Sequence, residues 1–241
     1  MPINLIVSLI FFSAGLLQGI SGFGAALLAM PLLVLVLEVR EAVTLTLLNT
    51  LTINLFLSLQ LKSHLDWRKI LPLAVGCVPG VYVGVTILKN VNSAMIKCSL
   101  GTLIIAYGLS CLYGRLSQKS INKGWAYAAG FATGTIGGAF SAGGPPTIIY
   151  TTLTGWKKDE IKATLSSFFF FTSALAASAH YLTGLMTHHV LTLFGVAALP
   201  VLSGVFFGSR LYKKLQSNSY LTIIYYLLIV LGSMMVVSAL K

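Results

Sequence analysis

The sequence predicts an all-α integral membrane protein of two inverted repeats, each a broken glycine-rich helical segment followed by three transmembrane helices. Three observations predict it. The 241 residues are 56% hydrophobic and only 9% charged, with a mean hydropathy of +0.90. Soluble domains run to about 25% charged, and disorder needs the opposite composition. Second, long runs hold no Asp, Glu, Lys or Arg: 1–37, 42–61, 70–88, 98–114, 124–156, 163–209 and 215–240. Third, two of these runs are interrupted by glycine at matching places.

Taken in order, 1–37 is too long for one helix. About 35 residues at 1.5 Å each reach roughly 50 Å, against a hydrocarbon core of about 30 Å. Gly19, Gly22 and Gly24 stand near its middle, with Pro31 beyond. The runs 42–61, 70–88 and 98–114 each suit one span of about 20 residues. The run 124–156 repeats the first problem, with Gly134, Gly137, Gly138, Gly143, Gly144 and Pro145-Pro146. Glycine at that density and a double proline interrupt a helix. Residues 163–209 are two spans divided near Thr183-Gly184 and His188-His189, and 215–240 is the last. No Lys or Arg precedes the first run and no small-residue cleavage signature follows it, so it reads as a retained segment.

The halves match. Gly15-x3-Gly19 answers Gly130-x3-Gly134, and Ser21-Gly22-Phe23-Gly24 answers Ser141-Ala142-Gly143-Gly144. Pro79-Gly80-x3-Gly84 answers Ser203-Gly204-x3-Gly208. The division expected is an N-terminal repeat 1–113, a polar linker 114–124 and a C-terminal repeat 125–241. If each glycine segment were one span, the sixteen Lys and Arg would split nine against seven. If each is a hairpin returning to its starting side, twelve fall on one side and four (Arg40, Lys89, Lys97, Lys241) on the other. The second split is the positive-inside bias, so hairpins, inverted halves and outside termini are expected.

The net charge of +11 reads as short basic loops facing anionic lipid, not nucleic acid. Cys77, Cys98 and Cys111 lack the clustering a metal site needs, and no cofactor is expected. No Ser-His or Asp-Asp pair and no HExxH supports an intramembrane enzyme. Among the histidines, His180 lies near a span end beside Tyr181, where a proton-carrying role competes with plain packing.

Several residues carry a resemblance. Gly19-Ile20-Ser21-Gly22-Phe23-Gly24 with Pro31, the run Gly134-x2-Gly137-Gly138 through Ser141-Ala142-Gly143-Gly144-Pro145-Pro146, the loop Ser63-His64-Leu65-Asp66-Trp67-Arg68 and the Gly80/Gly84 pair together resemble the sulfite exporter TauE/SafE family of membrane permeases. The resemblance covers nearly the whole chain. Ser63 departs from the glycine usual there, at a loop position. The resemblance implies transport of sulfite, a sulfonate such as sulfoacetate, or a related small oxyanion.

The residues themselves support an anion site. A broken helix leaves unpaired amides, tolerated in a membrane only where they line a cavity or are buried. The N-terminus of a half-helix is an anion site without Arg or Lys. The substrate-binding residues expected are Ser21, Gly22, Phe23, Gly24, Asn49, Ser141, Ala142, Gly143, Gly144, Pro145 and Ser166. Glycine admits the ligand to the backbone, the serines donate hydroxyls, and Pro145 suits the start of a half-helix. Asn49 is balanced between lining the site and bonding a neighbouring helix. The function expected is a secondary transporter in the bacterial inner membrane. An anion channel, a carrier of a non-sulfur organic anion and a non-transporting assembly subunit are the alternatives. The partners expected are a small anionic substrate and membrane lipid, with a homodimer left open.

Overall fold

The computed structural model describes residues 2–113, 122, 124–212 and 219–240. Most of the expected linker 114–124 lies outside these. The described residues form helices α1 (Ile3–Ser21), α2 (Ala25–Leu33), α3 (Val39–Gln60), α4 (Trp67–Asn90), α5 (Ser93–Tyr113), α6 (Trp125–Phe140), α7 (Gly144–Leu153), α8 (Lys158–Leu182), α9 (His188–Tyr212) and α10 (Ser219–Ala239), with one 3-10 turn at Lys62–His64 and no strand. Six of them are long and apolar enough to cross a membrane: α1, α3, α4, α5, α8 and α9.

Local chemistry sets the ends. Asp66 caps α4 by accepting the Arg68 N–H at 3.0 Å. Asp159 and Glu160 stand in the first turn of α8, where negative charge meets the positive end of the helix dipole. Gly184, at φ +74°, turns the chain between α8 and α9. The long uncharged runs break where glycine predicts: α1 gives way to α2 across 22–24, and α6 to α7 across 141–143.

The halves are not separate bodies, because each broken helix packs on a helix of the other half. A Cβ on Gly204 of α9 would collide with the Phe12 carbonyl of α1, and one on Gly208 with that of Leu16. The same holds for Gly130, Gly134 and Gly138 of α6 against the carbonyls of Leu73, Cys77 and Val81 of α4. In both pairs the contacts advance together, so the helices run parallel. Small residues let the backbones approach this closely, the usual device of helix packing in lipid. The matched Gly-x3-Gly pairs are thus interfaces between the halves. α5 meets α10 antiparallel, Gly101 against Gly232 and Gly108 against Ile229 and Tyr225. α3 and α8 also cross antiparallel, the start of α3 touching the end of α8 through Thr44 and His180.

Candidate functional site

The first break closes α1 with Gly22 in the left-handed region (φ +84°), its N–H donating to Gln18 O at 2.7 Å. Gly24, also left-handed at φ +100°, opens α2. The first amides of a helix have no intrahelical partner. One of them, Ala25 N–H, donates to the side-chain oxygen of Gln18 at 3.2 Å, and Gln18 Nε2 donates to Asn54 Oδ1 at 2.7 Å. Gln18 and Asn54 are only 3% and 2% exposed. The amide oxygen of Gln18 therefore sits where the α2 N-terminus would hold a negative oxygen.

The second break is built otherwise. α6 ends on Ser141, the one non-glycine residue at positive φ (+56°) among those described. Its N–H donates to Gly137 O at 2.9 Å and its hydroxyl to Val43 O of α3 at 2.8 Å. Gly143 comes so close to α6 that a Cβ there would strike the Thr133 carbonyl and the Gly137 backbone. α7 then starts Gly144-Pro145-Pro146. Proline presets the helical φ but brings no N–H, so this N-terminus offers fewer donors than that of α2.

Both breaks open on one cavity of about 50 Å³. Holding a water takes some 10–15 Å³ of such space, so a few waters or a small oxyanion fit. Phe23 and Gly24 line it from the first break, and Ser141, Ala142, Gly143 and Gly144 from the second. Gln18, Thr50, Asn54, Thr133, Thr172 and Ser173 supply its polar wall, and Leu27, Leu47, Ile148 and Phe169 part of its apolar wall. No lining residue is charged.

Six of the eleven expected residues are thus brought together. The other five lie behind them. The Ser21 hydroxyl donates to Leu17 O at 2.8 Å and also contacts Phe23 O. Gly22 lies under the stem of Lys162. Asn49 is buried, donating to Leu45 O at 2.9 Å. Pro145 is buried in α7, and the Ser166 hydroxyl donates to Lys162 O at 2.8 Å. Gln18, Asn54, Thr133 and Thr172 were not among the expected residues. For Gln18 a signal existed: an amide inside an uncharged run, one turn before a glycine break.

A basic side chain of α8 reaches the last turn of each broken helix. Lys162, 8% exposed, donates from Nζ to Gly19 O of α1 at 3.1 Å. His180, fully buried, bonds through Nε2 to Gly138 O of α6 at 3.2 Å. Cationic groups suit helix C-termini.

Comparison with known proteins decides the class. The sequence profile described as sulfite exporter TauE/SafE matches residues 7–235. The chain belongs to the sulfite exporter TauE/SafE family. It is 31% identical over 168 residues to the probable sulfite/organosulfonate exporter TauE of Cupriavidus necator, a match covering 66% of this chain and 64% of that protein. No solved structure matches the chain. The family is described as one of sulfite exporters, and the six long apolar helices make the protein a multi-pass membrane protein; the chain spans less than two thirds of that relative's length.

Proposed function

We propose that the protein is a secondary transporter that carries a small sulfur oxyanion or organosulfonate, held between its two helix breaks. The observation carrying this reading is that both breaks open on the same cavity, which has polar groups set in a largely apolar wall and no charged residue. Backbone amides at the start of α2 would be its main donors, since the Thr50, Ser141 and Thr172 hydroxyls already donate to carbonyls. The ligand set proposed is Phe23, Gly24, Ser141, Ala142, Gly143 and Gly144, joined by Gln18, Asn54 and Thr172. Ser21, Gly22, Asn49, Pro145 and Ser166 form the shell that shapes it.

The same proposal includes inverted halves with the site near the bilayer centre. The helix directions support it. Short links make α3 and α4, and α8 and α9, run oppositely. With α1 parallel to α9, α4 parallel to α6 and α3 antiparallel to α8, α1 and α3 point one way while α6 and α8 point the other. α2 and α7 then return the chain within each half, as in transporters of inverted repeats. That topology collects twelve of the sixteen Lys and Arg on one side, which would be cytoplasmic. An interior-negative potential then favours export by about 2.3 kcal/mol per charge per 100 mV.

A thermal-stability screen of the detergent-solubilised protein tests this. Sulfite, sulfate, thiosulfate, sulfoacetate and taurine are compared with simple carboxylates. Stabilisation confined to sulfur anions is expected, and stabilisation by carboxylates alone would overturn the reading.

A further inference from the structure

We propose that His180 is a proton-binding site through which anion movement is linked to proton movement. The inference rests on reading the cavity as an anion site. An ionisable group buried in a spanning helix is costly and signals function. His180 is fully buried, and both its ring nitrogens have partners. Nε2 faces Gly138 O, which only accepts, so that nitrogen carries a hydrogen. Nδ1 faces the Thr44 hydroxyl at 3.1 Å, and that hydroxyl also reaches Arg40 O at 2.9 Å.

One hydroxyl hydrogen thus has two destinations. When it points to Nδ1 the ring is neutral and satisfied. When it turns to Arg40 O, Thr44 presents a lone pair and Nδ1 needs a proton, giving an imidazolium with both N–H groups paired. Protonation takes a proton from water and turns one hydroxyl, with no heavy-atom bond broken, against the cost of burying the charge. The last carbonyls of α6 favour that charge.

The site is wired to the second break. His180 ties α8 to Gly138 of α6 and Thr44 of α3, and the neighbouring Val43 carbonyl takes the Ser141 hydroxyl. Gly137 and Ser141, flanking Gly138, line the cavity. The other charged groups at this end of α3 and α4 are Glu38, Arg40, Glu41 and Lys89, none of them bonded to His180. Arg40 of α3 donates to Lys89 O of α4, and Glu41 of α3 pairs with His189 of α9 at 2.9 Å. α6 and α7 carry no charged residue. Among the described residues no carboxylate lies within ion-pairing distance of His180, so an anion bound at the second break would add negative charge on the imidazolium's side. Proton and anion then strengthen each other's binding, reciprocally.

The test uses protein in liposomes containing a pH-reporting dye, driven by a gradient of methanesulfonate, whose charge is constant across the range. Wild type should move protons with the anion, and its flux should rise on acidification from about pH 8 to 5. H180Q can still donate to Gly138 O and accept from Thr44 but does not titrate. Its protons moved per anion should fall to zero and its pH profile should flatten. Wild-type stoichiometry in H180Q, or proton-free flux in wild type, would overturn the proposal. Should no sulfur anion bind or move, the anion-site reading fails by itself. Ring-nitrogen NMR on protein with His64, His188 and His189 changed to Gln still decides the proton site, as it does if H180Q does not fold. A reversible imidazolium at His180 supports it, and a ring neutral throughout overturns it.

Discussion

The two breaks face one cavity yet solve the same problem with opposite means. The first uses two left-handed glycines and keeps its amides, one already occupied by Gln18. The second places a serine in the left-handed region, ties it to α3, and follows with two prolines that contribute no N–H. The first break is thus rich in donors and free of side-chain strain. The second is donor-poor, but braced by Ser141 on Val43 and His180 on Gly138. Sequence symmetry between halves need not mean two equal helix ends: the first leaves amides at its break, and the second has a tethered serine and a fixed wall.

The largest effect expected separates two glycines that look equivalent in sequence. Gly143 has ordinary φ, but a Cβ there would strike backbone of α6 that cannot yield. G143A should cost about 1–3 kcal/mol or more, as overpacking does, and should collapse the cavity. Gly24 has room, since a Cβ there would stand 3.6 Å from the Leu17 side chain, and is glycine for its φ of +100°. G24A should lose about 1–2 kcal/mol to backbone strain while retaining measurable anion stabilisation. Thermal melts in detergent with and without sulfite check both, and equal losses would erase the distinction.

Next comes the occupant of the first break. Q18E is nearly isosteric but sets a carboxylate on the Ala25 amide. Anion affinity should fall at least about tenfold, roughly 1.4 kcal/mol, and stability without ligand should fall too, because the buried carboxylate loses the Nε2 donor to Asn54 Oδ1 and only part of its charge is offset by the helix N-terminus. Calorimetric titration with sulfite reads the first and melts read the second. Unchanged affinity would remove the α2 N-terminus from the site.

How much of this was legible beforehand follows from where the physics is local. Charge-free runs mark the spans because lipid excludes charge along the whole segment, and glycine marks both breaks because backbone freedom is local too. The faces of α3 were not legible. Thr46 and Asn49 stand beside Thr50 and Asn54 on a helix buried nearly all round through its first half, so polarity alone could not say that Leu47, Thr50 and Asn54 turn to the cavity. Asn49 and Ser166 spend hydrogen bonds on their own helices, at Leu45 O and Lys162 O. Gln18 to Asn54 and His180 to Gly138 join residues 36 and 42 apart in sequence, and only the folding of each half brings them together.

The smallest effect expected concerns Ser141 and separates strain from tethering at the second break. S141G relieves a left-handed non-glycine residue, worth about 1–2 kcal/mol, but loses the hydroxyl bond to Val43 O, worth about 0.5–1.5 kcal/mol, and adds glycine's freedom in the unfolded chain. These terms oppose one another, so its melting temperature should stay close to wild type. S141A keeps the strain and loses only the bond, so it should fall about 1 kcal/mol below S141G. Both release the tether that fixes this part of the cavity wall, and both should weaken sulfite by a similar factor. If S141G melted well above wild type with sulfite affinity intact, the hydroxyl would be neither brace nor ligand. The second break would then be held by His180 and the close approach of Gly143 alone.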